Sequence, residues 1–292
     1  MKSKKKRVRE IADYIKFVFP MLILYILFFI LPLFQTIGYS FTDYNGINPQ
    51  KEFTGLTNYF DVFQDKWFYN SMAFTGKSVL LMILLANVLG FLLALALNTK
   101  IRSRNILRAI VFCPFVFNNV TVGFIWQFLL GRFMTDLYPL TGWKVFNIGW
   151  LSDNSLVLYS VVFVKLWQSI GYFMVIYLAG LQLLPQDPLE AAVIDGCTGI
   201  KMIRYITIPL MKPTAFVCIF LAITESLNMF PLIMSLTNGG PGHASENISL
   251  YIYNEAFKSH RMGYASALAV ILTIIMTIIA GLQMKLTRED AG

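Results

Sequence analysis

Apolar residues along this chain come in long blocks between charges, without the short alternating segments of a strand-built protein. Six blocks qualify as membrane-crossing helices, at residues 17–40, 75–98, 109–131, 156–184, 214–236 and 262–284. Each reaches the roughly 20 residues a helix needs to cross the hydrocarbon. Three are free of internal charge, whereas 75–98 has Lys77 near its start, 156–184 contains Lys165 and 214–236 contains Glu225. Barrel strands would instead show segments of about 10 residues with alternating polarity. The pattern predicts an all-α integral membrane protein. Residues 1–16 form a basic N-terminal segment, and 17–292 form the membrane domain. A loop at 185–212 separates the fourth and fifth spans.

Composition agrees with this pattern. Of 292 residues, 57% are hydrophobic and only 14% are charged, and mean hydropathy is +0.62. Soluble domains carry roughly 25% charged residues, and disordered chains are poor in apolar ones. The net charge of +8 raises the question of nucleic acid, which the placement of the charges answers. Basic residues collect at the N-terminus (Lys2, Lys4, Lys5, Lys6, Arg7, Arg9, Lys16) and in the second-to-third loop (Lys100, Arg102, Arg104, Arg108). They recur at Lys201, Arg204 and Lys212, and in the tail at Lys285 and Arg288. The opposite loops are poorer in them. This asymmetry is a topology signal that places both termini in the cytoplasm, and nucleic acid is not an expected partner. The first apolar block is longer than a signal-peptide core and lacks a small-residue cleavage site, so it reads as a retained helix.

Catalytic chemistry finds little support. Cys113, Cys197 and Cys218 are scattered, and His243 and His260 are the two imidazoles. No disulfide framework, metal site or Cys-His pair emerges, and no cofactor is expected. Gly76-Lys77-Ser78 imitates the end of a phosphate-binding loop, but Ser71 stands where the motif needs glycine, and no strand precedes it. Any ATP chemistry must then come from another chain.

The loop 185–212 is the most informative stretch. Asp187 suits a helix N-cap, Pro188 the first helical position, and Glu190 the third residue after the cap. Ala191 and Ala192 give a slim helix face. Gly196 suits a left-handed residue that ends the helix after little more than two turns. A second short helix is expected over about 200–206, before Pro209. Outside the membrane on the opposite side, 43–69 reads as a small interfacial structure, and 237–241, with two glycines and a proline, as a turn.

Glu190-Ala191-Ala192-x-x-Asp195-Gly196, followed by Ile206-x-Ile208-Pro209, resembles the EAA loop of permease subunits of bacterial ABC importers. Leu178-Ala179-Gly180-Leu181-Gln182, Leu236-Thr237-Asn238-Gly239-Gly240-Pro241, Gly263-Tyr264-Ala265-Ser266-Ala267 and Phe53-Thr54-Gly55-Leu56-x-Asn58-Tyr59 are similar to the carbohydrate branch of that family. The likeness runs from about residue 13 to the C-terminus and is nearest to the first permease of maltose-type and multiple-sugar-type systems. It implies a type I importer fold of six spans. It also implies a second permease subunit, two cytoplasmic ATPase subunits, an extracytoplasmic solute-binding protein and a sugar substrate. Glu190, Ala191, Ala192, Asp195 and Gly196 would then dock an ATPase. Cys197 and Tyr205 stand where the family usually has alanine and phenylalanine.

A sugar route through a bilayer needs hydroxyl partners and aromatic faces. In the fourth span, Lys165, Gln168, Ser169 and Tyr172 share one helical stripe with Phe173 beside it. In the fifth, Glu225 and Met229 are one turn apart, with Ser226 and Asn228 flanking. The family resemblance places these segments along the substrate pathway. Interhelical hydrogen bonding is the competing role for Gln168, Ser169 and Asn228. Asn118 and Asn119 are a weaker pathway candidate, since paired amides also satisfy backbone at a bend after Pro114. Counted from Leu156 and Leu236, Lys165 and Glu225 lie roughly 14 and 17 Å deep. That allows a direct ion pair or a shared cavity, with the cavity favoured. A glycerol-phosphate or acidic-oligosaccharide importer is the alternative function, and a secondary transporter a more distant one.

Overall fold

The computed structural model describes residues 16, 18–99 and 102–289. Most of the basic N-terminus and Lys100 lie outside the described residues. Helix dominates, and the one β feature among the described residues is an isolated bridge between Thr42 and Phe53. Two compact units divide the chain. One comprises residues up to Gln64 with Ile252–Ile274; the other comprises Asp65–Tyr251 with residues from Ile275 onward.

In the first unit, α1 (Val18–Tyr39) matches the expected first span. None of its described residues is buried against the chain, which is tolerable only where the surroundings are themselves apolar. After it the chain folds back. Asn58 donates its side-chain amide to the Ser40 and Thr42 carbonyls at 2.9 and 2.8 Å, and the Ser40 and Tyr59 hydroxyls meet at 2.7 Å. Gly55 takes the left-handed conformation that precedes α2 (Thr57–Gln64). The expected interfacial structure at 43–69 is therefore a hydrogen-bonded knot plus a short helix. Gly263 fits this knot because a side chain there would strike the Thr42 carbonyl.

The second unit is built around α6 (Val157–Gln182), the most enclosed of the long helices. Around it lie α3 (Lys66–Leu97), α4 (Arg104–Val116), α5 (Asn119–Thr141) and α9 (Lys212–Leu227). Small residues let these backbones approach, as membrane helix packing requires. Gly90 of α3 lies under Phe173, Gly171 of α6 against Val111 and Phe112, and Gly180 of α6 against Thr214 and Met211. Tyr177 donates to the Asn87 side-chain oxygen at 2.6 Å, pinning α6 to α3.

Several boundaries differ from the sequence expectation. The second span begins earlier than 75, because Asp65 caps α3 by accepting the Trp67 N–H at 2.8 Å. Gly76, Lys77 and Ser78 lie inside this helix, not in a phosphate loop. The third span is not one helix over 109–131: α4 and α5 meet at 94°. Pro114 removes a backbone donor, Phe117 and Asn118 are extended, and the Asn118 side chain accepts from Val120 N–H at 2.8 Å to start α5. The fifth span breaks at Asn228–Met229 between α9 and α10 (Phe230–Leu236), where Pro231 enters the first turn. Four uninterrupted helices have the length and hydropathy of a span, and six do if each bent pair is one span. The last, α11 (Met262–Glu289), outruns its expected end at 284.

Packing at Gly171 is testable. Gly171→Ala would place a methyl group against backbone atoms of Val111 and Phe112, which cannot swing aside. It should destabilise the chain by about 1–3 kcal/mol, seen as a lower thermal midpoint in detergent. Gly76→Ala, where an added methyl meets nothing within 4 Å, should leave the midpoint unchanged or slightly raised. Equal midpoints for the two variants would refute the close α4–α6 contact.

Candidate functional site

Two constellations carry the chemistry, one in the loop after α6 and one within the helices. The loop forms α7 (Gln186–Ile194) and α8 (Ile200–Leu210). Pro185, not Asp187, occupies the N-cap position, and no side chain caps the helix. Proline cannot donate and its fixed φ suits the entry, so Asp187 falls in the first turn and acts there only through its charge. The expected capping box with Glu190 is absent.

The C-terminal end agrees with expectation. Gly196 has φ +76°. The Gly196 N–H donates to the Val193 carbonyl and the Cys197 N–H to the Ala192 carbonyl, at 3.0 and 2.8 Å. This pair of bonds is the Schellman closure, which needs a left-handed residue. Gly199, at φ +59°, turns the chain into α8. That helix continues past 206 and through Pro209 to Leu210, because a wide π turn over Ile203–Thr207 shifts the hydrogen-bond register. A 71° bend follows, leading into α9.

Glu190, Ala191, Asp195 and Gly196 are exposed, but Ala192 is turned inward and buried. Ala192 thus supports α7 by packing and by its carbonyl, not by offering a surface. Sequence reasoning passed over Val193, Ile194 and Ile200, which are 56%, 86% and 83% exposed. Three large apolar side chains bared beside a capped turn form a surface suited to a protein contact. Their exposure could not be read from the motif, since they look like ordinary core residues.

The second constellation centres on Lys165. Its side chain is buried, and its ammonium lies 2.6 Å from the Glu225 carboxylate of α9. A weaker hydrogen bond, 3.4 Å, runs to the Asn119 side-chain oxygen of α5. The direct ion pair is realised, although a shared cavity was the favoured expectation. Glu225 remains one-quarter exposed. One turn along α6, Gln168 donates to the Phe117 carbonyl at 2.9 Å, satisfying a backbone group released by the α4–α5 break. Its own side-chain oxygen is buried without a partner.

The other stripe residues have different tasks. Ser169 and Ser226 bond back to the Lys165 and Ala222 carbonyls at 2.8 and 2.7 Å. Phe173 and Met229 are fully buried. Tyr172 stacks on Phe115, with ring centroids 4.5 Å apart and planes 4° from parallel. The structure brings together Lys165, Glu225, Gln168 and Asn119, with Tyr172 and Phe115 nearby. It does not bring Ser169, Phe173, Ser226 or Met229 to an open surface. Asn228 caps α9 and is exposed. No group of three or more His, Cys, Asp or Glu side chains among the described residues could hold a metal ion.

Comparisons with known proteins agree with this architecture. Residues 86–288 match the family described as binding-protein-dependent transport system inner membrane component. A probable starch degradation products transport system permease protein of Thermoanaerobacterium thermosulfurigenes is 36% identical, covering 99% of this chain and 98% of that protein. A multiple sugar-binding transport system permease protein of Streptococcus mutans is 34% identical over 92% of both chains. A trehalose/maltose transport system permease protein of Thermococcus litoralis is 30% identical, covering 98% of this chain and 97% of that one. Among solved structures, a chain of a bacterial ABC transporter that imports the acidic polysaccharide alginate superposes with a TM-score of 0.82 at 21% identity, covering 99% of both chains. A six-span pattern, a capped loop after the fourth span and matches along nearly the whole chain lead to one assignment: this is a multi-pass membrane protein of the binding-protein-dependent transport system inner membrane component family.

Proposed function

We propose that this chain is half of the translocation pathway of an ATP-driven oligosaccharide importer. It pairs with a second permease, two cytoplasmic ATPase subunits and an extracytoplasmic solute-binding protein. The observation that carries the coupling role is α7, a short helix closed by Gly196 and flanked by bared Val193, Ile194 and Ile200. Glu190, Ala191, Asp195 and these three residues meet the ATPase, while Ala192 holds the helix from behind. ATP hydrolysis belongs to the partner. The sugar class rests on the names of the relatives above.

Transport then depends on the helices on either side of that loop. α6 enters it and α9 leaves it, and Lys165 and Glu225 join those two helices within the membrane. A displacement of the loop acts on both ends of the pair. Glu225, Tyr172 and Asn119 form the pathway wall, with Gln168 and Ser169 holding its backbone. Both termini face the cytoplasm, which puts residues 237–241 outside.

Gly196→Val should force a β-branched side chain into a left-handed conformation. No neighbour lies within 4 Å of an added Cβ there, so the strain is confined to the loop backbone. Membrane insertion and subunit assembly should persist, and ATPase stimulation by the solute-loaded binding protein should fall at least tenfold. Full stimulation in this variant would remove α7 from the coupling path.

Lys165→Met or Glu225→Gln alone should abolish most transport. Each leaves one charge without its partner in a low-dielectric setting, a loss of about 3–5 kcal/mol for a buried pair. The exchange Lys165→Glu with Glu225→Lys should recover part of the transport and thermal stability. Normal transport in both single variants would exclude the pair from the pathway.

Asn238 is exposed at the end of α10. Asn238→Cys, in a chain whose three native cysteines are replaced, should react with a membrane-impermeant maleimide added to intact cells. Reaction only from inverted vesicles would reverse the topology.

A further inference from the structure

A second basic residue in a spanning helix remains uncompensated. Lys165 is neutralised by Glu225, but Lys77 of α3 is exposed and has no hydrogen bond or ion pair with any described residue. It lines a cleft of about 470 Å³ together with Trp67, Asn70, Asn154, Ser155 and Tyr159. Along α3, Trp67, Asn70 and Lys77 follow one face at helical spacing. The opposite wall comes from Asn154 and Ser155, which lead into α6, and from Tyr159 in its first turn.

This cleft is braced. The Asn70 amide donates to the His243 carbonyl at 2.8 Å, and the His243 ring lies 4.4 Å from the Trp67 ring. His243 Nδ1 is 2.6 Å from the Glu246 carboxylate, which is buried. The loop that supplies Gly242 and Ala244 to the wall is thereby fixed to α3. Asp153, close by, spends one carboxylate oxygen on the Ser155 N–H and hydroxyl, bonds that hold its pKa below the usual carboxylate value. Among the described residues, Lys77 is the one charged side chain that lines the cleft.

Its depth follows from the length of α3. The helix has 32 residues, roughly 48 Å at about 1.5 Å per residue, against a hydrocarbon core of about 30 Å. The uncharged stretch that fits this core runs from 78 to 97. Residues 66–77 therefore stand above the hydrocarbon, with Lys77 at its outer edge. A hydrated solute can reach this level from the outside.

We propose that this cleft is a binding site for an acidic saccharide unit, with Lys77 contacting its carboxylate and Trp67 and Tyr159 offering their rings to its apolar face. Flat aromatic faces with amide and hydroxyl groups suit a sugar ring, and a lone cation selects an anionic one. The volume lies in the range of small-molecule sites. This assignment rests on the importer reading above and adds a substrate class to it. It also places the anion contact at the outer end of α3, away from the Lys165–Glu225 pair, which has no net charge to offer.

The test uses the whole transporter, with its second permease and ATPases, in nanodiscs of uncharged phosphatidylcholine. Calorimetry would compare a uronic-acid disaccharide with the neutral disaccharide of the same linkage. The acidic sugar should bind at least tenfold more tightly, and raising the salt concentration should erode that preference. Lys77→Gln should erase the preference and Lys77→Arg should keep it. Equal affinity for the two sugars, no binding of either, or an unchanged preference in Lys77→Gln would overturn the assignment. So would a preference that vanishes when phosphatidylglycerol is added while the wild type retains more of that lipid than Lys77→Gln. That result would give the cleft to a lipid headgroup. Binding-protein-stimulated ATPase activity of the wild-type complex is read separately. Its absence defeats the importer reading, whereas its presence without a sugar preference defeats the cleft alone.

Discussion

Lys165 is almost wholly buried, with 3% of its side chain exposed. Its ammonium is 2.6 Å from Glu225 and within reach of Asn119, and these three residues come from three different helices. In hydrocarbon an unpaired charge costs several kcal/mol even on permissive scales, so α5, α6 and α9 must be placed to satisfy it. The same demand explains Gln168, which closes the Phe117 carbonyl left open where α4 gives way to α5. Broken helices are tolerated at membrane depth only where neighbours supply the missing bonds. The core of the second unit is therefore organised by a few polar obligations, with apolar packing filling the space around them.

Small residues set how closely those helices approach. Gly90, Gly171 and Gly180 lie at the contacts of α6 with α3, α4 and the chain entering α9. Most of α6 is thereby enclosed, and Tyr159, Phe163, Trp167 and Val175 are left exposed along it. The loop beyond it is the reverse case. α7 is nine residues long and ends in a Schellman turn, and its large apolar side chains face outward. A helix this short is marginal alone, and Gly196 and the inward Ala192 give it a defined end and a seat. Enclosure of α6 and exposure of α7 are thus opposite solutions in adjacent stretches of chain.

Continuity along the chain joins these two regions. From α6 the chain passes through α7, Gly199 and α8, then bends by 71° into α9, which carries Glu225. The ion pair thus ties together the two helices that bracket the loop. A single stretch of sequence, from Lys165 to Glu225, holds both the exposed loop and the ion pair. The hydrogen-bonded knot of the first unit, built on Asn58 and Gly263, is a separate local solution to ending a span and starting a return.

Residue order alone carries the membrane class, the apolar blocks, the left-handed Gly196 and a bend after Pro114. These follow from local properties: hydropathy over twenty residues, a missing N–H, a missing Cβ. It also brought Lys165 and Glu225 to the same depth, which is arithmetic along two helices. Whether they touched was decided by the tertiary structure, because contact depends on how α6 and α9 are rotated about their axes. Rotation likewise buried Phe173 and Met229, turned Ala192 inward and bared Ile194 and Ile200, although all of them are apolar or small residues in helices. Lys77 marks the same division. Its charge was legible as the boundary of a span, whereas its isolation in a cleft with Trp67 and Tyr159 required α3, the entry to α6 and the loop around His243 to meet in space.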